Sequence, residues 1–203
     1  MYCMGNKLSK WLFLALILTF TVVTAIVAFS PYKSSPGFSY KLLQHSVEIE
    51  APVDTVFKFL GKSANASHWS VFVDHIIPLN AGKISDGAVG SRRRCFCNED
   101  ETGKQWDELI TVVIPGKKRQ LAIYNLKEFP MSAENLATEQ IYEKQNNKKC
   151  RVTFTVFFVG RSGVTDNFKM YLAAYEITRI FSKNMENIKR IVENSQTSGI
   201  HHG

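Results

Sequence analysis

Residues 168–194 read FKMYLAAYEITRIFSKNMENIKRIVEN, and the fold turns on what this stretch must pack against. Phe168, Tyr171, Leu172, Tyr175, Phe181, Met185, Ile188 and Val192 recur mostly at steps of three and four, the spacing of one helix face. Lys169, Glu176, Arg179, Lys183, Glu186, Lys189, Arg190 and Glu193 suit the opposite, wet face. No Pro or Gly interrupts the run, and Asp166 stands ahead of it as an N-cap. Such a helix would be about 40 Å long. An aromatic-rich face of that length needs a large apolar partner, and the rest of the chain offers mainly strands. The expected architecture is α+β: a curved antiparallel sheet of six to seven strands gripping a C-terminal helix.

Upstream, Ser46–Glu50 alternates as a strand, and Pro52 suits the first turn of a short helix over Val53–Leu60 that ends at Gly61. Asn65–Val73 reads as a second short helix carrying Trp69 and Phe72. Strands are expected at His75–Leu79, Ser91–Asn98, Gln105–Ile114, Arg119–Leu126, Thr138–Lys144 and Cys150–Val159. On the last of these, Val152, Phe154, Val156 and Phe158 share one face.

Trp11–Phe29 is nineteen residues without a charge, about 28 Å as a helix and enough to cross hydrocarbon. Lys7 and Lys10 precede it, which favours a cytoplasmic N-terminus and an extracytoplasmic body. A cleaved signal with its exit at Val23-Thr24-Ala25 is the alternative. The expected organisation is a tail at 1–10, a transmembrane anchor at 11–30, a linker at 31–44, a folded domain at 45–195 and a C-terminal tail at 196–203. Net charge is +7, but Lys7, Lys10, Lys33 and Lys41 all precede Glu48, the first acid, leaving about +3 for the remainder. The basic clusters at 92–94 and 117–119 are short, so nucleic acid is not the expected partner. Cys95 and Cys97 lie two apart on one strand face, a poor geometry for bonding each other, and the three domain cysteines read as small buried hydrophobes. The histidines have no ligand spacing, so neither a metal nor another cofactor is expected.

Four stretches in order are similar to a known family: IEAPVDTVFKFL at 49–60, NASHWSVFV at 65–73, GAVGSRRRCF at 87–96 and WDELITVVIP at 106–115. The chain from about 45 to 194 resembles the START-like, helix-grip superfamily, and within it the polyketide cyclase/dehydrase (SRPBCC) branch. The resemblance implies a deep, mostly apolar cavity between sheet and helix for lipids, polyketides or other hydrophobic molecules. It does not imply catalysis, and it does not extend to the membrane segment.

The hairpin at 91–114 places the chemistry. With its turn centred near Glu101-Thr102, one face holds Arg93, Cys95, Cys97, Trp106, Glu108, Ile110 and Val112. Arg93 and Glu108 are then diagonal neighbours among apolar residues, and a buried pair must contact each other or a polar ligand. The expected ligand site comprises Arg93 and Glu108 as its polar end, with Trp69, Trp106, Ile110, Val112, Phe154, Val156, Tyr171 and Tyr175 as walls. Membrane-tethered binding of a hydrophobic small molecule or lipid is the reading these residues support. Two alternatives stay open: a cyclase- or hydrolase-like enzyme with Glu108 as acid/base, and a structural or partner-binding domain whose cavity is filled.

Overall fold

The computed structural model describes residues 4–38, 41–129, 136–158 and 163–200. The chain forms two compact units, Met1–Pro31 and Tyr32–Gly203. The first is helix α1, Met4–Ala28, in which Ser9–Ala28 is long and apolar enough to cross a membrane. Its threonines are compatible with that medium. The hydroxyls of Thr19, Thr21 and Thr24 each donate to the carbonyl four residues earlier, so they are satisfied within the helix.

The second unit runs β1 (Leu42–Ile49), α2 (Val53–Gly61), α3 (Ala66–Trp69), β2 (His75–Pro78), β3 (Arg92–Phe96), β4 (Gln105–Ile114), β5 (Lys118–Lys127), β6 (Leu136–Lys144), β7 (Cys150–Phe158) and α4 (Val164–Ile200). The seven strands form one curved antiparallel sheet, ordered β1-β7-β6-β5-β4-β3-β2. Most elements stand where alternation and helical spacing put them. β1 starts at Leu42, ahead of the expected Ser46. The second short helix stops at Trp69, because the Ser70 hydroxyl accepts from the amides of Phe72 (3.1 Å) and Val73 (2.9 Å) and turns the chain away. The helix expected from Phe168 already begins at Val164, so Asp166 lies inside its first turn. The end of the expected strand at Val159, and most of the loop at Pro130–Leu136, lie outside the described residues.

The face of α4 differs from the sequence expectation in its first half. The buried stripe is Met170, Ala174, Met185, Ile188 and Val192, with Ile177 and Phe181 half-buried alongside. Leu172 and Tyr175 are 52% and 50% exposed. From Phe181 backwards, steps of four, three and four reach Ile177, Ala174 and Met170. Each large aromatic there sits one residue, about 100°, round from that line. Against the second half of α4 pack Ile49, Val56, Leu60, Tyr142, Cys150 and Val152. Polar clasps hold it in place: Asn184 Oδ1 accepts from the Val71 amide at 2.8 Å, Lys189 donates to the Glu48 carbonyl at 2.8 Å, and Glu193 accepts from the Glu50 amide at 2.8 Å.

Among the described cysteines, Cys95 and Cys150 are buried and Cys97 is half-exposed, all three free. Cys97 is therefore less enclosed than the sequence reading had it. Burial pushes the Cys150 thiol up to about 11.

Candidate functional site

Two strands and two glycines build the polar end of the site. β3 and β4 pair with Arg93 directly opposite Glu108 and Cys95 opposite Trp106. This register lies two residues from the one expected, so the same side chains stay on the same face. Of the three consecutive arginines, Arg93 turns inward. Arg92 is exposed, and Arg94 binds Asp107 on the sheet's other face at 2.7 and 3.0 Å. Burial pushes the Asp107 carboxyl up, but the bonds from Arg94 and Asn125 outweigh it and leave it below the usual carboxylate range.

Arg93 Nε donates to Glu108 Oε2 at 2.7 Å, and the Trp106 indole N–H donates to Glu108 Oε1 at 3.0 Å. Arg93 is 6% exposed and Glu108 9%, and an isolated charge so placed would be costly. Burial pulls the Arg93 guanidinium down and the Glu108 charge beside it more than restores it. Arg93 Nη1 also reaches the Ser63 hydroxyl, at 3.4 Å. Ser63 itself donates from its hydroxyl and its amide to Asp86, at 2.7 and 2.8 Å. Asp86 is brought there by Gly87, whose φ is +81° and whose missing Cβ would lie 2.5 Å from the Gly61 carbonyl oxygen. Any side chain at 87 would push the Asp86 loop off the end of α2. Burial, with the Glu108 charge in addition, holds the Cys95 thiol well above its ordinary range, so it acts as a small neutral wall residue.

Beside this pair lies a second buried cation, Arg119, 2% exposed. Its Nη1 donates to Gln140 Oε1 and Tyr142 Oη, both at 3.1 Å, and its Nη2 donates to the Phe57 carbonyl at 3.5 Å. The guanidinium lies over the Phe57 ring at 4.5 Å. It therefore sits at the negative end of α2, where a cation is favourable. Gly61 leaves room for it, since a Cβ there would meet Arg119 Nη2 at 2.8 Å. Burial pulls the Arg119 guanidinium below its ordinary value; Tyr142 opposes this and the Arg93 charge adds to it.

Between sheet and α4 is a cavity of about 480 Å³ rather than a filled core. Arg93, Glu108, Trp69, Trp106, Phe154 and Val156 all line it, as do Ser63, Thr138, Gln140, Leu172, Ile177, Ile180 and Phe181. Rings form much of the wall. Phe72 stacks on Trp106 with centroids 5.8 Å apart, Phe129 meets Trp106 edge-on at 5.9 Å, and Phe154 meets Trp69 and Phe181 edge-on. Lys104, Leu172 and Glu176, all exposed, mark where the cavity meets solvent.

Four expected wall residues lie elsewhere. Ile110 is fully buried but does not line the cavity. Val112 pairs with Gln120 after a register shift between Ile110 and Val112, and this bulge turns it to the opposite face. Tyr171 packs edge-on against Tyr32 at 5.1 Å and bonds Lys41. Tyr175 projects outward. Sequence reasoning missed Ser63, Asp86, Arg119, Thr138 and Gln140. Only Arg119 left a signal, since it alternates in phase with Leu121 and Ile123.

Both Glu108 oxygens already accept protein hydrogen bonds, so the arrangement supplies a fixed polar anchor rather than an uncommitted base. No group of described residues is arranged to hold a metal ion.

No curated protein sequence matches the chain. Solved structures match its fold. XoxI of Bacillus cereus superposes with a TM-score of 0.56 at 13% identity, covering 76% of this chain and 97% of that one. Zhui aromatase/cyclase from a Streptomyces species gives 0.57 at 15%, over 75% and 93%. Norcoclaurine synthase from Thalictrum flavum gives 0.54 at 13%, over 77% and 96%. Identities this low speak for the fold alone. The family model described as polyketide cyclase / dehydrase and lipid transport matches residues 42–193, which take in all seven strands and most of α4. The chain belongs to the polyketide cyclase / dehydrase and lipid transport family, in its helix-grip form.

Proposed function

We propose that this protein binds a hydrophobic small molecule or lipid in the cavity between sheet and α4, held at a membrane by its N-terminal helix. The observation that carries the reading is a 480 Å³ space with aromatic and aliphatic walls and one buried, hydrogen-bonded charge pair. Sites for small molecules have this scale and this distribution of polarity. Residues 45–195 form the binding domain in this reading, 11–30 the anchor and 31–44 the tether. The lysines before the apolar segment put the N-terminus in the cytoplasm and the domain outside it.

The test uses the full chain in phosphatidylcholine nanodiscs, titrated with a dansyl-labelled fatty acid and corrected for empty discs. Saturable binding is expected. Ala173→Trp, which places an indole on the cavity's helix wall, should weaken it by at least about tenfold. Equal affinity in the two forms would mean that the cavity is not the site.

Anchoring is tested separately. The full chain should sediment with membranes and resist alkaline extraction, because Trp11–Phe29 carries no charge. A soluble mature chain beginning near Ile26 would make the segment a cleaved signal.

A further inference from the structure

We infer that the ligand is an amphiphile with a single carboxylate head, seated on Arg93 and Gln140, its chain running past Trp106 and Phe181 toward Leu172. The inference rests on the binding reading above and names the ligand class for that same cavity. Two features of the polar end carry it, and each is independent of the cavity's size.

The first is which hydrogen-bonding roles are left over. Both oxygens of Glu108 are taken, by Arg93 and by Trp106. The single acceptor oxygen of Gln140 is taken twice, by Arg119 at 3.1 Å and by the Tyr142 hydroxyl at 2.6 Å. Because only the oxygen can accept from a guanidinium, the Gln140 amide nitrogen is the end left over. It has no partner among the described residues, nor has Arg93 Nη2, and both residues line the cavity. Thr138 adds a hydroxyl that serves either way. The protein thus offers donors, and the ligand must bring acceptors.

The second feature is charge. Arg93, Arg119 and Glu108 are all at least nine-tenths buried, and together they leave one positive charge. Arg119 forms no ion pair with a described carboxylate. Of the further acids, Glu139, buried on the same lining, is held by Lys118, and Asp86, reached through Ser63, is exposed to solvent, which screens it. An alcohol or amine head brings no negative charge and would leave this positive charge unanswered. A carboxylate accepts from Arg93 and Gln140 and neutralises it, and the Trp69 indole N–H, likewise on the lining and without a partner among the described residues, is a third donor. Lys62, Lys104 and Lys169 outnumber Glu176 on the outer part of the lining and favour entry of an anion.

Dodecanoate, dodecanol and methyl dodecanoate share one chain and differ only in the head. Displacement of the dansyl probe from the full chain in phosphatidylcholine nanodiscs should rank dodecanoate at least about tenfold above the other two. The double variant Arg93→Leu/Glu108→Leu removes the pair without leaving a lone charge. It removes the Arg93 donor but leaves the Arg119 charge, so it should retain the ester and narrow the preference for the acid, and a thermal melt establishes that it is folded. If it does not fold, the ranking on the unaltered chain decides alone. Equal displacement by all three compounds, or a preference for the alcohol, would overturn the carboxylate head while leaving the cavity as a binding site. Displacement by none, together with probe binding that Ala173→Trp does not weaken, would remove the binding reading itself.

Discussion

Glu108→Leu is expected to cost about 3–5 kcal/mol in stability, because it strands the Arg93 guanidinium in an apolar wall. The donor at 2.7 Å loses its acceptor, and so does the Trp106 indole at 3.0 Å. Glu108→Gln should cost less, since its amide oxygen still accepts one of the two bonds. The double variant Arg93→Leu/Glu108→Leu should recover most of the loss, as apolar replacements of a buried pair often do. Urea melts of the unaltered chain, Arg93→Leu, Glu108→Leu and the double variant make a double-mutant cycle. A strong positive coupling supports the geometry. Near-additive losses would mean that Arg93 and Glu108 do not depend on each other. Recovery in the double variant would also imply that stability does not explain the pair, which leaves ligand recognition as its use.

Ile188→Ala should be nearly as damaging, at about 2–5 kcal/mol, the usual range for a large-to-small change in a packed core. Ile188 is fully buried where the second half of α4 meets β1, β6, β7 and α2. Phe181→Ala should cost less than an equally large ring in a solid core. Phe181 is only half-buried and borders space that already exists, so its removal widens a cavity rather than opening one. Guanidinium melts compare the two directly. A larger loss at Phe181 than at Ile188 would place the fold's centre of packing at the cavity instead of at the sheet-facing end of the helix.

The difference between these positions shows where sequence periodicity suffices. The second half of α4 has large residues on one face only, so Met185, Ile188 and Val192 could be assigned from spacing. In the first half the inward line is Met170 and Ala174, both buried, with Ile177 half-buried, while larger aromatics lie off it and outweigh it in any pattern. Tyr171 belongs to a contact with Tyr32, which is 139 positions away and leaves no periodic trace. The inward face of the β3–β4 hairpin was legible because a slip of two residues preserves alternation. Val112 was not, because a bulge adds one residue and reverses the faces beyond it. The Ser63–Asp86 bond, which supports Arg93, depends on Gly87 passing under the Gly61 carbonyl. That is a tertiary requirement, visible in sequence only as two glycines among twelve.

Native mass spectrometry tests the central claim most directly. The full chain is incubated with dodecanoate and released from nanodiscs in the gas phase. The chain should carry one dodecanoate adduct that survives mild activation, and the Ala173→Trp form should carry none. A bare chain under the same conditions, or an equal adduct on the filled variant, would contradict a ligand-binding cavity between the sheet and α4.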